Sequence, residues 1–316
     1  MGLVLPTSSL APLFWCYWMR IIVTGASSQP GYKLVLLALE RGYQVYGFYL
    51  THEIPYGHRN LKKIKLDITD HGRVWEIFHK ISPDAIFHIA AYGDVDGCEI
   101  NRQYAWRVNY LASENIAKIS AKLDAFLVYL STDYVFDGSR GNYKETDPTY
   151  PINFYGLTKL LGEVASLSAN DRVAIVRASA IYGLGPGRKN FARFLIENLS
   201  SGKEVRAFID QFLSPTNSTL LAEAILEIYE KGLTGVFHIV GERLSRYDFA
   251  IRVATALGLD RNLIKKGSMD DVLWKAKRPR DSSLNCENTK KRLKVDFYSM
   301  NLAMSILREE YEKYYG

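Results

Sequence analysis

The sequence predicts a doubly wound, parallel α/β domain, and three observations carry that prediction. A short apolar run at 20–24 ends in the turn Gly25-Ala-Ser-Ser-Gln-Pro-Gly31, after which residues 32–41 bear apolar side chains at helical spacing. Strand-like and helix-like patterns then alternate through the first half of the chain, which implies parallel strands joined by helical crossovers. An apolar strand at 126–130 delivers Ser131 and Thr132 at its carboxyl end, the side of an open α/β sheet on which ligands bind.

The elements follow in order. The opening turn needs glycines where the backbone approaches a pyrophosphate and where strand and helix pack closely; Gly25 and Gly31 satisfy the outer positions. Ser28 holds the middle position, and Pro30 sits at the helix start, where a missing amide hydrogen is tolerated. With Ser27 and Gln29 these residues form the candidate cofactor turn. Strands are expected at 43–50, 63–66 and 85–90, with helices at 72–81 and 104–123. A helix at 155–168 and a strand at 173–176 complete a dinucleotide-binding domain of the Rossmann type over 19–177. From 178 the pattern loosens into Gly and Pro turns with helices at 191–199, 220–231, 245–257 and 300–314. Residues 178–316 therefore read mainly as a substrate-binding lobe, with a return to the sheet near 235–240.

Composition excludes several classes. At 316 residues and 47% hydrophobic the chain can bury a large core. The three cysteines are far apart, with no Cys-x-x-Cys pair, so no metal site is expected and a reducing, cytoplasmic setting is the default. The net charge of +6 is dispersed and mixed with 34 acids, which favours an anionic small molecule over nucleic acid. Residues 1–18 are apolar and aromatic but lack a basic leading region and a small-residue cleavage site, and they are short for a membrane span. They are read as an extension with no assigned function, and no membrane association is expected.

The chemistry is expected at Tyr155 and Lys159, in Asn153-Phe-Tyr-Gly-Leu-Thr-Lys159. Positions i and i+4 share a helix face, so the ammonium of Lys159 can lie beside the phenol of Tyr155 and favour phenolate. A free phenol titrates at about 10, and each tenfold rise in its acidity takes roughly 1.36 kcal/mol, so proton donation near neutrality needs about 4 kcal/mol of differential stabilisation. The hydroxyl of Thr132 would hold a carbonyl oxygen while hydride reaches its carbon. At the cofactor end, Asp67 and Ile68 follow the third strand and are placed to meet an adenine edge. Ala90, Ala91 and Tyr92 let a dinucleotide approach, and Asn109 either braces the sheet or relays protons. Gly47-Phe-Tyr-Leu-Thr-His52 offers no acid to grip a ribose, which tilts the choice towards NADPH, with NADH still possible.

These motifs resemble those of the extended short-chain dehydrogenases/reductases, and among them the dTDP-4-dehydrorhamnose reductases, from residue 19 to about 293. The resemblance lies in Ala90-Ala-Tyr-Gly-Asp-Val-Asp96, Ser131-Thr-Asp-Tyr-Val-Phe-Asp-Gly138, the Tyr155 segment, Asp210-Gln211 before Ser214-Pro-Thr216, Ser245-Arg-Tyr-Asp-Phe-Ala250 and Arg278-Pro279. It implies that Thr132, Tyr155 and Lys159 are the catalytic set, and that the C4 ketone of a nucleotide-linked deoxysugar is reduced. It also implies that Tyr134 and Arg278 lie by the sugar or its diphosphate, and a homodimer is open. Sugar-nucleotide dehydratases carry Asp-Glu after their threonine, whereas Asp133-Tyr134 follows here, so the elimination acid is missing. Epimerases share the Tyr and Lys and remain an alternative. Another is the regulatory β subunit of methionine adenosyltransferase, which is similar in overall pattern and in the Arg278-Pro-Arg280 segment. Two departures stand out: Ser28 replaces the family's middle glycine, and Ala180 its usual Trp.

Overall fold

The computed structural model describes residues 19–315, so the expectation for 1–18 falls outside the described residues. The first half contains β1 (Arg20–Thr24), α1 (Gln29–Glu40), β2 (Gln44–Tyr49), β3 (Leu61–Lys65), α2 (His71–Ile81), β4 (Ala85–His88), α3 (Val95–Ile100), α4 (Arg102–Ala105), α5 (Ala112–Lys122), β5 (Phe126–Thr132), α6 (Phe154–Ala169) and β6 (Val173–Tyr182). After them come α7 (Phe191–Leu199), β7 (Val205–Phe208), β8 (Phe212–Leu213), β9 (Pro215–Asn217), α8 (Ser218–Glu230), β10 (Gly235–His238), β11 (Leu244–Ser245), α9 (Arg246–Leu257), β12 (Ile264–Gly267), α10 (Glu287–Arg292) and α11 (Met300–Tyr315).

The main sheet has the order β10-β6-β5-β4-β1-β2-β3, with β9 added against the far end of β6, and every pairing in it is parallel. Strand order reverses between β4 and β1, which opens the crevice in which doubly wound sheets bind ligands. Both faces are covered. Ile21 and Val23 of β1 point into one core with Leu34 and Val35 of α1 and Ile225 of α8. Ile22 points into the other with Val74 and Phe78 of α2 and Ile116 of α5. Each such side chain contributes about 1.5–3 kcal/mol by leaving water, which explains why the central strands read as unbroken apolar runs.

Two differences from the sequence reading have physical causes, and the expected return to the sheet is present. β6 does not stop at 176 but runs to Tyr182, past the expected boundary at 177. Its polar residues are buried with partners: Arg177 on Glu163, and Ser179 on Asp133 and Thr216. The helix expected over 104–123 is interrupted by a π-helical turn, Trp106–Leu111. The return near 235–240 is β10, paired in parallel with β6, and α8 lies in the same core as α1, so 218–238 completes the main sheet rather than the second lobe. That lobe is built on two small sheets, β7 with β12 and β8 with β11.

Candidate active site

β5 and α6 bring the catalytic candidates together. β5 ends at Thr132, level with Ala178 of β6. Asn153 is extended at φ −142° and caps α6, accepting from Gly156 N at 2.8 Å and donating to Lys277 O at 2.9 Å. Tyr155 is therefore in the first turn, with Lys159 one turn on along the same face. Gly156 permits close approach, since a Cβ there would lie 2.1 Å from Tyr134 O. Thr132, Tyr134, Tyr155 and Lys159 all line one cavity of about 650 Å³.

Burial sets the electrostatics. Lys159 is 2% exposed, its Nζ stands 4.0 Å from the ring centre of Tyr129, and burial lowers its pKa to about 7 while the Glu163 carboxylate one turn on raises it. Burial pushes the Tyr155 phenol up, opposed by a hydrogen bond with Thr132 and reinforced by the charge of Asp133. Tyr155 is thus protonated near neutrality. Beneath it, Asp133 accepts from Thr132 Oγ1 at 3.0 Å, Ser179 Oγ at 2.8 Å and Ser282 Oγ at 2.5 Å, and burial raises its pKa. Thr132 accepts from Tyr134 N at 3.2 Å, so its hydroxyl proton must leave Asp133 to reach a substrate oxygen.

The same cavity is lined by Gly25, Ser27, Ser28, Pro30, Asp67, Ile68, Ala90, Ala91 and Tyr92. Gly25 has φ +66°, and a Cβ there would meet Ala90 N and Cα at 2.8 Å; the turn rests directly on the end of β4. Ser28 has an ordinary φ of −74° and caps α1, donating to Gly25 O at 2.7 Å and accepting from Gly31 N at 3.2 Å. Serine therefore needs no glycine conformation there and stiffens the turn. The first turn of α1 carries no acidic residue, so its amide end is open to an anion. This cradle fits the pyrophosphate of a dinucleotide. Asp67 also closes its own turn, accepting from Thr69 N at 2.9 Å.

Four expected site residues lie outside the cavity wall. The Gln29 side chain turns away to Ser218 on α8. Gly31 serves packing, because a Cβ there would sit 2.2 Å from Gly25 O. Asn109 clamps the main chain of Tyr92, accepting from its N at 2.7 Å and donating to its O at 3.2 Å, and reaches Thr158 at 3.2 Å. Arg278 is paired with Asp96 at 2.9 Å and lies over the Trp274 ring. Conversely, Asp133, Gln211, Arg246 and Ser282 line the cavity although the sequence assigns them no role. Arg246 opens α9 and donates to Gln211 Oε1 at 2.6 Å. The Ser245-Arg-Tyr-Asp segment contains it, but no spacing there separates a site residue from a helix start.

Residues 19–311 match the family profile described as RmlD substrate binding domain. The chain is 34% identical over 85% of its length to the probable low-salt glycan biosynthesis reductase Agl14 of Haloferax volcanii, covering 91% of that protein. It is 31% identical to methionine adenosyltransferase 2 subunit beta of Pongo abelii, over 84% of this chain and 80% of the other. Among solved structures, a hypothetical dTDP-4-dehydrorhamnose reductase from Sulfolobus tokodaii superposes with TM-score 0.80 at 39% identity, over 90% of this chain and 99% of that one. The Bacillus anthracis dTDP-4-dehydrorhamnose reductase, in complex with NADP, gives TM-score 0.82 at 28% identity, over 92% and 99%. With the motif order, sheet topology and cavity already described, this match over nearly the whole chain places the protein in the RmlD substrate binding domain family.

Proposed function

We propose that this protein reduces the C4 ketone of a nucleotide-linked 6-deoxy sugar, dTDP-4-dehydrorhamnose to dTDP-rhamnose, with NADPH as reductant and NADH as a possible substitute. One observation carries the reading: Thr132, Tyr155 and Lys159 line the same cavity as the glycine turn. When bound, the dinucleotide supplies the hydride. Tyr155 hands its proton to the carbonyl oxygen as that oxygen gains charge, and Lys159 stabilises the phenolate left behind. Thr132 orients the same oxygen. Arg246, within electrostatic reach of Tyr134 and Arg278, makes the opposite wall cationic and suits a diphosphate.

The test follows the near-ultraviolet absorbance of NADPH on mixing with dTDP-4-dehydrorhamnose. We expect loss of absorbance with the parent protein and a rate lower by about 10²-fold or more with Tyr155→Phe, with NADPH binding retained. Undiminished turnover in the variant would sink the assignment.

A second reading, a dinucleotide-binding regulatory subunit of the methionine adenosyltransferase type, has the Arg278-Pro-Arg280 segment in its favour. In this fold Arg278 is largely buried in an ion pair with Asp96, whereas Arg280 is exposed and pairs on the surface with Asp210 and Asp270. An epimerase remains the third reading and is separated by product analysis. We also propose a homodimer, which the exposed Leu157, Val164 and Leu167 along α6 support, and a cytoplasmic setting, which suits the buried free thiols Cys98 and Cys286. Among the described residues no helix is long and apolar enough to cross a membrane.

A further inference from the structure

The loop from β6 to α7 forms part of the cavity wall. Its sequence, Gly183-Leu-Gly-Pro-Gly-Arg-Lys-Asn190, has glycines at φ +143°, +154° and +96°. Both ends are tied down: Leu184 N donates to Glu310 Oε2 at 2.7 Å, and Asn190 donates to Gly183 O at 2.8 Å while capping α7. The crest, Gly187 to Lys189, is exposed. Gly187 lies against the glycine turn, where a Cβ would stand 2.9 Å from Gln29 N and 3.1 Å from Ser28 Cα. Arg188 reaches the opposite bank, donating to Gly93 O at 3.2 Å, with its other nitrogen 3.5 Å from Asp94 Oδ1. Both Gly187 and Arg188 line the cavity.

One arginine thus spans the crevice between the turn after β1 and the loop after β4, where the strand order reverses. Its ion pair is long, and the two side chains are 68% and 43% exposed, so Asp94 holds the guanidinium weakly. A planar fork of donors beside a helix N-terminus that carries no acidic residue in its first turn matches an anion lying at the turn.

We infer that Arg188 is a phosphate clamp: it leaves Asp94 to bind the pyrophosphate of the dinucleotide from the solvent side, next to the glycine turn on which Gly187 rests. This rests on the cofactor reading above. A 2′-phosphate is the wrong target, because Leu50, Thr51 and His52, which wall the cavity after β2, lie on the far side of β1 from Arg188.

Calorimetric titration of the full-length protein with NADPH, ADP-ribose and dTDP tests the clamp in parent, R188A and D94N. R188A should raise the Kd of NADPH and of ADP-ribose alike by about tenfold, the loss of one hydrogen bond to a charged group, and leave dTDP unchanged. D94N, which removes the competing carboxylate, should tighten both dinucleotide ligands, and the R188A deficit should shrink as salt is added. Unchanged dinucleotide affinity in R188A, a loss confined to dTDP, or D94N weakening binding as much as R188A would each overturn the clamp. A parent protein that binds neither NADPH nor ADP-ribose would instead remove the cofactor reading, a failure visible before any variant is made.

Discussion

Lys159 shows how much a single residue's surroundings decide. Its ammonium is buried against the Tyr129 ring, and the carboxylate that acts on it, Glu163, already accepts two bonds from Arg177, at 2.9 and 2.7 Å, and one from Ser131 at 2.5 Å. The charge on Lys159 is therefore costly, and in the free protein it is lost as pH rises through about 7. Since kcat/KM reports ionisations of the free enzyme, it should fall on the alkaline side with an apparent pKa near that value. Initial rates with NADPH across a pH series check this; a profile that stays flat well into the alkaline range would separate Lys159 from the rate. The i, i+4 spacing of Tyr155 and Lys159 was legible because helix geometry alone fixes it. Asp133 was not, because its importance comes from three hydroxyls supplied by β5, β6 and the segment at Ser282, which only the fold assembles.

Elements divide the same way. β1, the glycine turn and α1 are readable because close packing leaves few options at Gly25 and Gly31. The π turn at Trp106–Leu111 is invisible to periodicity, since one extra residue in a helix leaves the apolar spacing nearly unchanged. β8 and β9 are two and three residues long, too short for alternation to register. The glycine turn supports a sharp prediction. Gly31→Ala places a methyl 2.2 Å from Gly25 O, so the turn must move off α1, and a loss of about 1–3 kcal/mol should accompany loss of NADPH binding. Gly72→Ala in α2 meets nothing closer than Asp70 Oδ1 at 3.8 Å and should be neutral or stabilise by up to about 1 kcal/mol. Thermal melts of the two variants side by side make the comparison.

Across the whole molecule, acid stability is set in part by two buried imidazoles. His88 bridges Thr24 and Ser113 at 2.8 and 2.9 Å, and His238 is bonded to Asn285 O at 2.8 Å; burial holds both near a pKa of about 3. The unfolded chain takes up these protons below about 6.5, so it binds more protons than the native state between the two values. Stability is therefore lost as pH falls from about 6.5 towards about 3, at up to about 2.7 kcal/mol per pH unit from the pair. Asp96, Glu99, Asp210 and Glu227, whose carboxyls are held low against the cost of burial by their hydrogen bonds and cationic partners, push in the same direction. Unfolding free energies from urea titrations at stepped acidic pH should therefore fall as pH is lowered through this window; a free energy that does not change would show the histidines to be accessible.

The late return of β10 to the sheet also governs how the chain is made. Until 235–238 leaves the ribosome, the outer edge of β6 has no neighbour over Ala174 to Arg177, and the core beside α1 lacks α8. A nascent chain that has released the whole nucleotide-binding half therefore still shows an unpaired strand edge and an open apolar face, the two features that invite premature association. The parallel layer therefore cannot close until β10 is available to pair with β6, and a fragment ending at 177 should aggregate rather than fold as an autonomous unit.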